Sequence, residues 1–184
     1  MQRFILTGAP GSGKTSILRA LEQRGYAVVE EAATDVIAAE QARGIGQPWT
    51  ELSFTRKITE MQRRRQEEPV RPGAAAQVFD RSPVCTLSLA RWMGHPVPAT
   101  LSEEIERIAA EQVYERQVFF VRPLGFVEPT AARRISFTDS LAFERVHEAE
   151  YLGLGFEIVD VPAGPVAERA ALVDAHLRRL TGTG

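Results

Sequence analysis

The chain has 184 residues, 44% hydrophobic and 25% charged, and 22 Lys plus Arg against 24 Asp plus Glu leave a formal charge of −2. That composition excludes a disordered chain, and its near-neutral balance excludes bulk attraction to nucleic acid or an anionic membrane. A lone cysteine, Cys85, excludes an internal disulfide or cysteine-rich metal site, and no apolar run approaches a membrane span, so one cytoplasmic domain over residues 1–184 is expected.

Arg3–Thr7 reads as a short apolar strand, and the glycine-rich run Gly8–Thr15 leads from it into an amphipathic segment, Ser16–Arg24. A second strand is expected over Tyr26–Glu30, then a Gly- and Pro-rich loop over Gly44–Trp49. Thr50 is expected to cap a helix bearing Leu52, Phe54, Ile58 and Met61. Ala75–Phe79 is the next strand, after which Ser82 and Pro83 open a helix that closes at Gly94. Thr100 and Glu103 form a capping-box pattern ahead of Ile105, Ile108, Ala109 and Val113. Gln117–Val121 and Phe156–Val161 complete the strands, separated by an irregular stretch, Arg122–Arg134, with Pro123, Gly125 and Pro129. Pro165 opens a last helix with Val166, Ala170, Val173 and Leu177 inward, and Glu168 is expected to pair with Arg169. Short strands alternating with helical patterns imply parallel βαβ units, hence an α/β fold. The middle strands lack polar alternation, as strands covered on both faces do.

Residues Gly8-Ala9-Pro10-Gly11-Ser12-Gly13-Lys14-Thr15 match G-x-x-x-x-G-K-[ST] in full, between a strand and a helix. The glycines let backbone N–H groups turn inward around a phosphate, and the helix N-terminus adds the positive end of its dipole. Gly8 to Ser16 is thus the expected triphosphate cradle, with Lys14 reaching the β- and γ-phosphates and the Thr15 hydroxyl ligating Mg²⁺. Asp80 ends Gln77-Val78-Phe79-Asp80 at the carboxyl edge of the sheet and is expected to complete the Mg²⁺ shell, directly or through water. The bland reading, Asp80 as a helix cap, is weakened because Ser82 already serves that purpose.

With Val29-Glu30-Glu31-Ala32-Ala33 and Phe79-Asp80-Arg81-Ser82 added to the glycine loop, the whole chain resembles the P-loop nucleoside and nucleotide kinases. Among them it is similar to the small AAA-type ATPase domain related to the ribosylnicotinamide kinase domain of the NadR regulator. The resemblance implies a P-loop NTPase three-layer sandwich whose five-stranded parallel sheet is ordered 2-3-1-4-5, with a short lid at about residues 122–138. It also implies lid arginines on the transferring phosphoryl group, a place that Arg133 and Arg134 occupy. They either neutralise transition-state charge or are solvated surface residues, and Arg122 is a rival. Glu31 and Arg81 follow strand ends beside the glycine loop and are the acceptor candidates. Glu31 would take a hydroxyl proton or hold a sugar diol, with Asp35 one helical turn on in reserve. The competing reading makes Glu31 a structural partner of Arg81.

Arg56, Lys57, Arg63, Arg64 and Arg65 are interrupted by Glu60, Glu67 and Glu68 and read as a solvated helix face, with one or two arginines available to a phosphate on the acceptor. Trp49 reads as rim packing, Trp92 as core, His95, His147 and His176 as surface or helix-end residues, and Cys85 as a small hydrophobe. The function implied is ATP- and Mg²⁺-dependent transfer of the γ-phosphoryl group to a small hydroxylated or phosphorylated metabolite. The partners are then the nucleoside triphosphate and that acceptor, without membrane or nucleic acid, and the oligomeric state, a homodimer included, stays open. The alternative is an ATP-binding regulatory switch acting through a protein partner, which no coiled coil or added domain supports.

Overall fold

A computed structural model describes residues 1–124 and 137–182. The strands β1 (Arg3–Thr7), β2 (Ala27–Val29), β3 (Gln77–Asp80), β4 (Gln117–Val121) and β5 (Glu157–Val161) form an all-parallel sheet in the order β2-β3-β1-β4-β5. Flanking it are α1 (Lys14–Gln23), α2 (Ala32–Ala42), α3 (Phe54–Glu67), α4 (Pro83–Trp92), α5 (Ala99–Ala110), α6 (Phe137–Gly153) and α7 (Val166–Thr181). The expected α/β architecture and strand order are present.

Strand side chains alternate between the two sheet faces, and each face finds its own helices. Phe4, Leu6, Val78, Phe119 and Val121 pack against Ile17, Leu18 and Leu21 of α1 and Ala170, Val173 and Leu177 of α7. Ile5, Phe79 and Val118 pack the other way, against Val84 and Cys85 of α4, Ile108 of α5 and Tyr151 of α6. Phe4, Ile5 and Leu6 of the central strand are completely buried, each stabilising the fold by about 1.5–3 kcal/mol. Across the ladders Leu6 aligns with Asp80 and Thr7 with Phe120, so β1, β3 and β4 end together at one edge of the sheet. The glycine loop begins at that edge.

Several local expectations give way to tertiary packing. β2 is shorter than Tyr26–Glu30: Tyr26 is buried, its hydroxyl donating to Asp174 at 2.8 Å, and Glu30 leaves the ladder. β3 runs later than Ala75–Phe79, making Asp80 the last strand residue, β5 begins after Phe156, and α1 starts at Lys14 rather than Ser16. α5 starts at Ala99 because the Pro98 carbonyl accepts from the N–H groups of Leu101 and Ser102, so Thr100 is already helical and the capping box does not form. Thr50 lies in a 3-10 turn, Pro48–Thr50, where its hydroxyl donates to Gln47 O at 2.8 Å; α3 starts only at Phe54, and Leu52 is exposed. Ser82, by contrast, caps α4 as expected, its Oγ accepting from Val84 N at 3.2 Å. Val166 and Trp92 are exposed rather than core, Trp92 sitting edge-on to Phe143 at 6.1 Å. Trp49 packs at the rim of the Val36, Ile37, Phe54 and Ile58 cluster that joins α2 to α3. No described helix is long and apolar enough to cross a membrane.

Candidate active site

Between β1 and α1 the backbone turns through Gly8 (φ 135°), Gly11 (φ 81°) and Gly13 (φ 89°), a region that side chains rarely adopt. At Gly8 space decides as well: a Cβ there would lie 2.2 Å from Val121 O, so only glycine lets β1 run past β4 into the loop. Gly13 precedes the first turn of α1, whose unpaired N–H groups and positive dipole end form the anion-binding feature. Lys14 is buried and its Nζ donates to Gly8 O at 3.1 Å and Ala9 O at 2.9 Å. Burial, aided by Arg81, lowers its pKa to about 8 against the opposing pull of Asp80 and Glu31. Ala9 and Ser12 are buried, Pro10 is half-buried, and Thr15 and Ser16 are exposed at the start of α1.

Asp80 is buried, and its Oδ1 has no hydrogen-bond partner. Burial raises its pKa to about 6, with Lys14 and Arg81 pulling down and Glu31 pushing up. An unsatisfied carboxylate oxygen and the exposed Thr15 hydroxyl are hard donors of the kind that hold Mg²⁺ when phosphates and waters supply its other positions, so these residues fit that ion. Among the described residues no three His, Cys, Asp or Glu side chains form a metal cluster by themselves.

Glu31 precedes α2 without capping it; its Oε1 lies 2.5 Å from Arg81 Nε, and it accepts from Thr34 Oγ1 at 3.1 Å. Burial pushes the Glu31 carboxyl up, but Arg81 and Lys14 outweigh it and hold it below the usual carboxylate range. Glu31 is thus Arg81's partner, as the competing reading had it, and an ionised carboxylate within the field of Lys14. Arg81 itself has φ 72°, a conformation costing a non-glycine residue about 1–3 kcal/mol, and its N–H donates to Leu6 O at 3.0 Å. Asp35 is taken by Arg65, which also donates to Glu30 O at 2.5 Å. A cavity of about 10 Å³, room for one water, is lined by Glu30, Gln62, Arg65, Asp80, Arg81 and Tyr114. Gln62 is fixed by Thr86 Oγ1 donating to its Oε1 at 2.9 Å. Neither Gln62 nor Tyr114 belongs to a motif; the fold alone brings them here.

Arg133 and Arg134, with most of the expected lid, lie outside the described residues. Arg122 is a structural clamp rather than a spare cation: it pairs with Glu144 (2.9 Å), Glu148 (2.9 Å) and Asp160 (2.5 Å), its guanidinium 4.6 Å from the Phe120 ring centre. On α3 the exposed Arg56 and Arg63 pair along the helix with Glu60 and Glu67, as on a solvated face. Lys57 instead reaches the buried Glu40 of α2 and the largely buried Arg65 reaches Asp35, so the stretch is solvated only in part.

His147 is not at the surface. It is fully buried, its Nε2 lying 3.1 Å from Thr7 Oγ1 and 2.9 Å from Cys85 Sγ, and Tyr151 OH reaches Cys85 Sγ at 3.2 Å and Ser82 Oγ at 2.7 Å. Burial first, then Arg81 and Lys14, push its pKa well below 6.5 and keep the ring neutral. The sequence signal for this cluster is the four-residue spacing of Phe143, His147 and Tyr151 on one face of α6. Arg169 does not pair with Glu168: it is buried and donates to Ser12 O at 2.6 Å and Arg122 O at 2.8 Å.

No curated protein matches the chain at the sequence level. A structure of deoxyadenosine kinase from M. mycoides with bound dCTP superimposes with a TM-score of 0.64 at 13% identity, covering 97% of this chain and 100% of that one. NadR protein in complex with NAD and AMP-PNP superimposes with a TM-score of 0.66 at 16% identity, covering 98% of this chain but 50% of that one. At such identities the likeness is one of fold, the P-loop kinase-like arrangement of a 2-3-1-4-5 parallel sheet and its helices. The AAA domain family model matches residues 3–169, from β1 through the glycine loop and Asp80-Arg81 to the first turn of α7, and the chain belongs to that family.

Proposed function

We propose that this protein transfers the γ-phosphoryl group of ATP, with Mg²⁺, to a hydroxyl of a small uncharged metabolite of nucleoside type. The observation that carries the reading is the glycine loop with buried Lys14, flanked by Asp80 and the Glu31–Arg81 pair. The nucleotide complexes of deoxyadenosine kinase and NadR support nucleotide use in this fold. Charge supports an uncharged acceptor. Both arginines lining the cavity already have carboxylates, Arg81 with Glu31 and Arg65 with Asp35, so an acceptor phosphate would compete with ions in place. A neutral diol would only add hydrogen bonds.

In this mechanism Lys14 and the loop N–H groups hold the β- and γ-phosphates, and the loop fixes donor and acceptor in line. Ionised Glu31, oriented by Arg81, accepts a hydrogen bond and then the proton from the acceptor hydroxyl as its oxygen bonds to phosphorus. The bond from the γ-phosphorus to the β–γ bridging oxygen breaks and ADP leaves. Thr15 and Asp80 would hold Mg²⁺, which supplies charge neutralisation on the phosphates when bound.

The test measures ATP binding and ADP release over a panel of nucleosides and vitamin precursors. Lys14→Ala should abolish ATP binding, whereas Glu31→Gln should leave it nearly unchanged and lower acceptor-dependent turnover by about 100-fold or more. Equal loss of ATP affinity in both variants would remove Glu31 from its role. ADP release that no acceptor raises, but a protein partner does, would support the regulatory NTPase instead.

A further inference from the structure

Arg169 sits where ordinary stability arguments disfavour an arginine. It is 2% exposed, and it lies in the first turn of α7, at the positive end of the helix dipole. Among the described residues no carboxylate lies within ion-pair distance of it, and its Nε has no hydrogen-bond partner. Its two contacts are backbone carbonyls: Nη1 donates to Ser12 O at 2.6 Å and Nη2 to Arg122 O at 2.8 Å. The second anchor is rigid, because the Arg122 side chain is held by three carboxylates. The first is the glycine loop itself, and Nη1 would lie 3.1 Å from a Cβ built on Gly13.

We infer that Arg169 is a positioning residue for the triphosphate, bracing the Ser12–Gly13 peptide from behind the loop and supplying a positive charge that the bound polyphosphate balances. The inference rests on the triphosphate reading above. The Ser12 carbonyl and the Gly13 N–H belong to one peptide group. A charged donor on that oxygen polarises the group, strengthens the N–H as a donor to an anion, and holds the peptide plane that Gly13 at φ 89° requires. A buried guanidinium without a carboxylate is costly in the free protein. A polyphosphate in the adjacent loop relieves that cost, so the charge acts on ligand affinity more than on the fold.

Calorimetry on the full chain with Mg²⁺, titrating ATP and separately inorganic tripolyphosphate, tests this. Arg169→Met should weaken both ligands by about tenfold or more and by similar factors, because the lost interaction concerns phosphate alone. The ligand-free melting temperature should not fall in proportion. Arg169→Lys, which keeps the charge but not the two-pronged donor, should weaken both ligands by about threefold, measurably less than Arg169→Met does. Wild-type affinity in Arg169→Met overturns the inference, as does a large drop in melting temperature with ATP affinity kept. Should Arg169→Met fail to fold, Arg169→Lys decides: intermediate weakening of both ligands supports the brace, and unchanged affinity overturns it. A wild-type chain that takes up neither ligand would sink the triphosphate reading itself, a result distinct from any seen only in the variants.

Discussion

Asp80 carries the electrostatic tension of the site. Its carboxylate is buried with one oxygen unsatisfied, and its pKa of about 6 against a usual 3.8 means that the fold disfavours the charge. A carboxyl raised in the folded state contributes stability that is fully present below the unfolded pKa and lost as pH rises through the folded one. Asp80→Asn removes the charge, so without nucleotide it should be more stable than wild type at pH 8, by roughly 1–3 kcal/mol. The gain should shrink toward zero near pH 4. Urea unfolding at the two pH values checks this, and a variant less stable at pH 8 would show that Asp80 is well accommodated as an anion. Arg81, beside it at φ 72°, adds backbone strain of about 1–3 kcal/mol at the same sheet edge.

Two serine and threonine residues separate apparent from working helix caps. Ser82 accepts from Val84 N and meets the buried Tyr151 hydroxyl at 2.7 Å, tying the start of α4 to α6 just after Asp80 and Arg81. Ser82→Ala should cost about 1–2 kcal/mol, through the lost cap and the loss of one of the Tyr151 phenol's partners, Cys85 Sγ at 3.2 Å remaining. Thr100 fits a capping-box pattern equally well, but α5 already begins at Ala99 behind Pro98. Thr100→Ala should therefore stay within about 0.5 kcal/mol of wild type. Thermal unfolding of both variants decides, and a large Thr100 effect would mean that the helix starts where the motif says.

Across the whole molecule, the buried chain from Thr7 through Cys85 and His147 to Tyr151 and Ser82 links the central strand, α4 and α6 behind the glycine loop. Its weak point is the imidazole. His147 is neutral in the fold with its pKa pushed well below 6.5, while in the unfolded chain it titrates normally. Stability from a depressed histidine is present above about pH 6.5 and lost as pH falls, at about 1.4 kcal/mol per pH unit. His147→Phe keeps the ring among Phe120, Phe143 and Tyr151 and leaves Thr7 and Cys85 as each other's partner at 3.0 Å. Between pH 7 and 5 this variant should lose up to about 2 kcal/mol less stability than wild type. Parallel stability curves for the two proteins would place the acid sensitivity elsewhere.

The α/β class, the glycine loop and Asp80 at a strand end were all legible in the residues, because each depends on local chemistry. Short apolar runs need cover on two faces, positive φ needs glycine, and a carboxylate closing a strand marks the sheet edge where ligands gather. Resemblance to P-loop kinases supplied the 2-3-1-4-5 order that the register bears out. Tertiary structure decided most partners of the charges. The Glu31–Arg81 pair, 50 positions apart, is one of two readings that the residues leave open, whereas no pattern in the sequence joins Asp35 to Arg65, 30 positions away. Arg169, expected to pair with the adjacent Glu168, instead reaches 157 positions back to Ser12. His147 looked solvated and is fully buried. A side chain's burial and partners depend on which distant segments the sheet brings beside it, and no local pattern carries that information.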